Sequence, residues 1–274
     1  MKTAAILVVY TEAFADTSIQ LFVQMVRRID AGAAIVVVNN HPSLQCSAVE
    51  GVTVLRGHNV LHEFGAWQTG LDHLVATHGR SAWQGMILAN DTYCHYRPMG
   101  ALEQAAFVRG ARKALATTQP EAHGELAYSP GRRPYVHTGV TTNCWIATYL
   151  FVISRAAMDA LNWKLHPSLQ EVERWAPCGD TEEDFFSAQM DAGLRHHFCA
   201  WLFGREQLPR WRRWAPLNAG NHARMQGKAH ALVCEQYISL EILRAGGRLR
   251  SVFHDPWIQV HRQLLARVRG RKAA

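Results

Sequence analysis

Gly85-Met86-Ile87-Leu88-Ala89-Asn90-Asp91-Thr92-Tyr93 decides the reading of this chain. An apolar run stops abruptly at a carboxamide, a carboxylate and a hydroxyl. A buried strand with that ending brings oxygen ligands to the carboxyl edge of a sheet, where open α/β sheets bind their ligands. Hard divalent cations take oxygen ligands and bridge to substrate phosphates. The segment therefore points to a metal-diphosphate site, with Asp91 as a ligand and Asn90 beside it. The plainer reading, that Asn90-Asp91 only opens a turn, has the edge for the segment alone. The surrounding pattern shifts the balance.

Upstream, Ala4 to Tyr10 is a short apolar run with β-branched content and reads as a buried strand. Asp16-Thr17-Ser18 has the chemistry of a helix cap, and Leu21, Phe22, Met25, Val26 and Ile29 follow at helical spacing up to Gly32. Ala34 to Val38 is a second strand, closed by Asn39-Asn40-His41-Pro42, and Val52 to Leu55 a third. Phe64 to Thr77 reads as a helix and Met86 to Ala89 as the fourth strand. Strands alternating with helices imply parallel βαβ units with right-handed crossovers. No GxGxxG follows the first strand and no GxxxxGK[ST] occurs, which argues against a dinucleotide enzyme and a P-loop NTPase.

The second half is less regular. Ala101 to Ala116 is a predicted helix, Trp145 to Ile153 a strand, and Ser154 the cap of a helix over Arg155 to Leu161. Thr181-Glu182-Glu183-Asp184 is expected to open a helix that runs through Ala192 and ends at Gly193. Leu208 to Lys228 has little periodicity and is expected to form a lid, and a last helix runs from about Leu232 to Arg244. The fold class is thus α/β: a Rossmann-like, mostly parallel sheet flanked by helices, with a C-terminal helical extension. The expected organisation is a catalytic domain over 1–205 and a lid plus basic helical extension over 206–274.

Composition narrows the function. Hydrophobic residues make up 48% of 274, enough for a sizeable core. The longest apolar runs are far too short to span a bilayer, and the N-terminus does not read as a secretory signal. Six cysteines without CxxC spacing read as reduced thiols, so the cytoplasm is the expected compartment. The net charge is +7 and the pI about 9.3. Pro209-Arg210-Trp211-Arg212-Arg213-Trp214 and the tail from His261 to Lys272 carry much of the excess. That pattern suits an anionic membrane surface at the inner membrane. It could also suit nucleic acid, although no nucleic-acid partner is expected, and an ordinary solvated helix end is as good an account of the tail.

Three further constellations bear on chemistry. Acids in the first turn of a helix satisfy the dipole, yet three in a row after Trp175-Ala176-Pro177-Cys178-Gly179 exceed what capping needs. A positioned carboxylate there could deprotonate an attacking hydroxyl; Glu183, Glu182 and Asp184 are the candidates, with Glu235 as an alternative base. His254 could add a metal ligand. Arg56, Asn59 and His62 precede a helix start at Glu63-Phe64-Gly65, where a helix N-terminus can hold phosphate and an Arg can clamp it.

Taken in order, these pieces resemble GT-A-fold glycosyltransferases, and within them the rhamnan-synthesis F-type family of bacterial polysaccharide pathways. Arg56-Gly57-His58-Asn59 with Glu63-Phe64-Gly65-Ala66-Trp67 and Gly70-Leu71 is similar to that family's Arg/Asn, Asp-Phe-Gly, aromatic, Gly-Leu pattern, with Glu63 where Asp is usual. Ile87 to Thr92 is similar to its strand ending in Asn-Asp-Ser, and Thr148 to Ser154 to its Ser-Tyr-Phe-Leu-Val-Phe strand. The acids at 182–184 sit where GT-A enzymes start the acceptor helix. The resemblance covers roughly residues 1 to 200.

The resemblance implies transfer of a sugar from a nucleotide diphosphate sugar to a saccharide or lipid-linked acceptor hydroxyl. Asp91, with His254 as a further ligand, would hold Mg²⁺ or Mn²⁺. Thr11, Asn39, Arg56, Asn59, Glu63, Trp67 and Asn90 would contact the donor, and Glu183 would be the base of an inverting displacement. The usual Asp-x-Asp is here Asn90-Asp91-Thr92, with one carboxylate. That departure keeps a second reading in play, an inactive transferase fold serving assembly or membrane recruitment. A nucleotidyltransferase ranks lower, because Tyr10 to Phe14 offers no phosphate-binding cation.

Overall fold

The computed structural model describes residues 2–95, 99–203, 216–254, 258 and 260. Its centre is a seven-stranded mixed sheet in the order β3-β2-β1-β4-β8-β5-β9. The strands are β1 (Lys2–Val9), β2 (Ala34–Asn39), β3 (Val52–Arg56), β4 (Trp83–Asn90), β5 (Glu121–Tyr128), β8 (Cys144–Ser154) and β9 (Arg248–Ser251). A separate hairpin pairs β6 (Tyr135–His137) with β7 (Val140–Thr142). Strand β8 alone runs against its neighbours, so the other six share one direction.

The core follows from the two-residue period of a strand. Ala4, Ile6 and Val8 of β1, Val36 and Val38 of β2, and Met86 and Leu88 of β4 point to one face. Ala5, Leu7, Val9, Ile35, Val37, Ile87 and Ala89 point to the other. Both faces are covered, which is why these strands read as continuous apolar runs rather than alternating ones. Helices α1 (Glu12–Ile29) and α3 (Ala101–Ala116) cover the second face. The first face carries α2 (His62–His78), α4 (Arg155–Ala160), α5 (Leu169–Trp175), α6 (Ala192–Phe203) and α7 (His222–Arg244).

Strands β1, β2, β3, β4 and β8, helices α2 and α3 and the Ser154 cap lie where the sequence placed them, whereas β5, β6, β7 and β9 were not foreseen; the Ser154 hydroxyl accepts from Ala157 N–H. Three expectations are corrected. Helix α1 begins at Glu12 rather than after Asp16-Thr17-Ser18. Thr181 to Asp184 opens no helix: residues 180–191 are turns and bends, and α6 begins at Ala192, where a helix was expected to end. There Asp191 supplies the cap, its Oδ1 accepting from Gly193 and Leu194 N–H at 2.9 and 3.1 Å. Finally, residues 222–228 of the expected lid are the first turns of α7.

Helix α7 packs against β8, α5, α6 and α2. Met225, Ala229, Val233, Cys234 and Ile238 join the same core as Phe64 and Trp67 of α2. Strand β9 then extends the sheet beside β5. The expected division at 205/206, Pro209 to Trp214 and the tail from His261 lie outside the described residues. No helix among the described residues is long and apolar enough to cross a membrane. None of the six cysteines forms a disulfide.

Candidate functional site

Strand β1 has β2 and β3 on one side and β4 on the other, so the chain reverses its direction of travel across the sheet at β1. The crevice beyond the carboxyl ends of β1 and β4 is therefore a topological switch point, the usual ligand site of open α/β sheets. Asp91 sits in it, 4% exposed. Its Oδ2 accepts from the N–H groups of Tyr10 at 2.8 Å and Thr11 at 2.6 Å, while its own N–H donates to Val8 C=O at 2.9 Å. Thr11 is the N-cap residue of α1 and makes no side-chain cap bond. The Asp91 carboxylate thus lies at the start of α1, where the helix dipole favours an anion.

Around Asp91 the strand ends present a polar and aromatic rim. Asn90 Oδ1 accepts from Thr92 N–H and Oγ1, and its Nδ2 donates to Glu63 Oε1 at 3.3 Å. Buried Asn40 donates to His62 C=O at 3.0 Å and to Asn59 Oδ1 at 3.4 Å, and its Oδ1 accepts from Asn59 N–H. A Cβ on Gly57 would run into this Asn40 amide, and one on Gly65 into the Val60 carbonyl. The loop between them is strained: Asn59, Leu61 and His62 have φ of 51°, 55° and 54°. Such left-handed conformations in non-glycine residues concentrate at functional sites. The N-terminus of α2 has no side-chain cap, and of its first amides Phe64 N–H donates to the Leu61 carbonyl at 3.2 Å. Exposed Tyr10 meets His41 edge-on at 5.7 Å, and Phe14 stacks on His95 at 3.9 Å. Burial pushes the Cys94 thiol up to about 11, so it stays protonated at neutral pH.

The other predicted donor contacts divide. Thr11, Asn59, Glu63 and Asn90 lie on the rim. Arg56 is at the end of β3, its guanidinium donating to the Pro42 carbonyl. Asn39 clasps the following loop: it donates to Leu44 C=O at 2.7 Å and accepts from His41 N–H at 3.0 Å. Trp67 is fully buried and cannot touch a ligand. Its indole N–H donates to Ala89 C=O at 2.9 Å and its ring meets Phe64 and Phe151 edge-on, so it pins α2 to β4.

The acids at 181–184 lie on an irregular turn. Thr181 Oγ1 donates to Asp184 Oδ2 at 2.8 Å and accepts from Asp184 N–H at 3.2 Å. Glu182 Oε1 accepts from Leu217 N–H at 3.5 Å, and Glu183 is exposed. His222 Nε2 reaches the carbonyls of Cys178 and Gly179. Five residues on, about 7.5 Å along α7, Gly227 abuts the His62 ring. Helix α7 therefore connects the acidic turn to the Asn40–His62–Glu63 side of the rim. Glu235, the alternative base, lies further along α7.

His254 is not brought to Asp91. It follows β9, three sheet positions from β4 or about 14 Å across the strands, and its Nδ1 lies 2.8 Å from Ser251 C=O. No group of three His, Cys, Asp or Glu residues able to hold a metal occurs among the described residues. The rim offers one carboxylate, Asp91, with one oxygen already accepting two amides, and a second, Glu63, linked to it through Asn90. This donor set is too small for a resident ion and fits only one that arrives with phosphate oxygens. Sequence reasoning missed Tyr10, Asn40 and His41; His62 it placed before the helix start. For Asn40 the signal was present, a second amide at a strand end opposite a glycine.

No family model matches the chain, and no curated protein matches it. Among solved structures it is similar to the mannosyltransferase PcManGT from Pyrobaculum calidifontis in complex with GDP-Man and Mn²⁺. The identity is 11% over 89% of this chain and 73% of that one, with a TM-score of 0.40. A likeness this weak assigns neither substrate nor metal to this chain.

Proposed function

We propose that the protein is a glycosyltransferase, moving a sugar from a nucleotide diphosphate sugar to a hydroxyl of a saccharide or lipid-linked acceptor. The observation that carries this reading is Asp91 at the switch point, inside a rim of amides, exposed Tyr10 and the uncapped start of α2. Tyr10 and His41 offer faces for a nucleobase. The first amides of α2, with Asn59, suit a diphosphate. Mg²⁺ or Mn²⁺ held between Asp91, Glu63 and the diphosphate would offset the charge of the leaving group. Glu183, in the acidic turn after the Cys178 and Gly179 carbonyls that His222 of α7 reaches, is the base that takes the proton from the acceptor hydroxyl, giving inversion at the anomeric carbon. The setting we favour is bacterial surface-polysaccharide or glycoconjugate assembly in the cytoplasm, with the basic tail on the inner membrane.

Release of nucleoside diphosphate from a panel of nucleotide sugars, with NMR of the product's anomeric configuration, tests this. Asp91→Asn and Glu183→Gln should each lose about a hundredfold or more in turnover. One observation favours a second reading: Asp91 Oδ2 is already engaged by two amides, as a purely structural clamp would be. Absence of donor turnover by the wild type across the panel would favour an inactive transferase fold acting in assembly instead.

A further inference from the structure

A second cleft, of about 700 Å³, lies at the other edge of the sheet. Arg109, Gly110 and Lys113 line one wall; their spacing puts them on one face of α3. Arg250 and His254 line the facing wall, on β9 and the turn after it. Gly110 permits this approach, since a Cβ there would run into Val252.

The floor is ordered by a buried carboxylate. Glu121 and His123 on β5 are 8% and 7% exposed. Glu121 Oε2 is 2.8 Å from His123 Nε2, and its Oε1 accepts from the Arg250 guanidinium at 3.3 Å. Both oxygens are thus occupied, and Arg250 is held with part of its fork toward the cleft. Arg109 and Lys113 have no acidic partner among the described residues. Three cations therefore share one concave surface with a single carboxylate that is already paired. Such a surface focuses positive potential, and guanidinium forks match phosphate oxygens bidentately.

We propose that the cleft between α3 and β9 binds a phosphoryl group of an anionic ligand, with Arg109, Lys113 and Arg250 in contact and Glu121 positioning Arg250. The site is distinct from the Asp91 rim and stands whether or not the protein transfers sugars. The phosphoryl group could belong to a soluble phosphate ester or to a lipid headgroup.

Calorimetric titration of the full chain with pyrophosphate, and sedimentation with phosphatidylcholine vesicles with and without phosphatidylglycerol, test the site. The double substitution Arg109→Ala/Lys113→Ala removes two exposed cations from α3. Arg132→Ala/Arg174→Ala removes two elsewhere as a control. A lost charge-assisted hydrogen bond is worth about tenfold in affinity. Pyrophosphate affinity should fall at least about tenfold in the first variant and hold in the second, which assigns a soluble ligand. The same pattern confined to phosphatidylglycerol vesicles supports the site and assigns a lipid. Absence of binding to either probe, or binding equal in both variants, overturns the proposal.

Discussion

Two acidic segments of this protein look alike in sequence and behave differently in the fold. Asp91 and the acids at 182–184 both follow an ordered element and both carry side-chain chemistry suited to a helix start. Asp91 does lie at a helix start, but of a helix that begins about eighty residues earlier, where it accepts from the amides of Tyr10 and Thr11 just before the first turn. Thr181 and Asp184 make the local bonds of a cap, and no helix follows. Instead Phe185 and Phe186 turn into the core against Phe203 and Phe198. A carboxylate held by distant backbone builds a rigid site; one held by its own turn leaves the turn able to move.

That contrast can be broken by substitution. Asp91→Ala leaves two part-buried amides without their acceptor, each costing roughly 1–2 kcal/mol, so the free energy of unfolding should fall by about 3 kcal/mol in denaturant titration. A loss below about 1 kcal/mol would show that Asp91 is no clamp. The next largest effect is set by pH. His123, His137 and His230 all lie after residue 120, and burial holds each below the usual imidazole range. For His137 the value is about 4, with the Arg244 charge adding to burial. The unfolded chain therefore binds more protons than the folded one below about pH 6.5, and stability falls as pH drops from there through 4. His137 alone accounts for about 3 kcal/mol of that loss at about 1.4 kcal/mol per pKa unit. Unfolding curves at stepped pH should show it, and His137→Phe should flatten the slope.

Smaller effects sharpen the contrast. Thr181→Ala removes the pseudo-cap and should cost about 1 kcal/mol, with no change in helical circular dichroism, since no helix depends on it. A loss of helix signal would restore the cap reading. Glu183→Gln, on an exposed side chain, should change stability by less than about 0.5 kcal/mol while donor turnover collapses. Equal stability with equal turnover would remove Glu183 from the mechanism.

Much of the sheet was legible because both faces are buried, and Ala4 to Tyr10, Ala34 to Val38 and Met86 to Ala89 are unbroken apolar runs. Glu121–Tyr128 escaped notice: His123 and Glu125 interrupt its apolar pattern, and its burial is paid for by the Glu121–His123–Arg250 contacts rather than by periodicity. The start of α1 was misplaced because the contact that fixes the chain just before it is tertiary, and no local signal marks a carboxylate at position 91. His254 failed as a ligand for the same reason: β9 carries it to the far edge of the sheet. Trp67 matched a motif, yet the indole serves packing.

The most direct test of the central claim is the thermal unfolding midpoint against UDP, GDP, dTDP and CMP, each with and without Mn²⁺, for the wild type and Asp91→Asn. A ligand that binds only the folded state raises the midpoint by mass action. One nucleoside diphosphate should raise it in the wild type, more with Mn²⁺, and clearly less in Asp91→Asn. No shift with any nucleotide, or a shift indifferent to Asp91, would contradict a nucleotide-sugar site at the β1–β4 crevice.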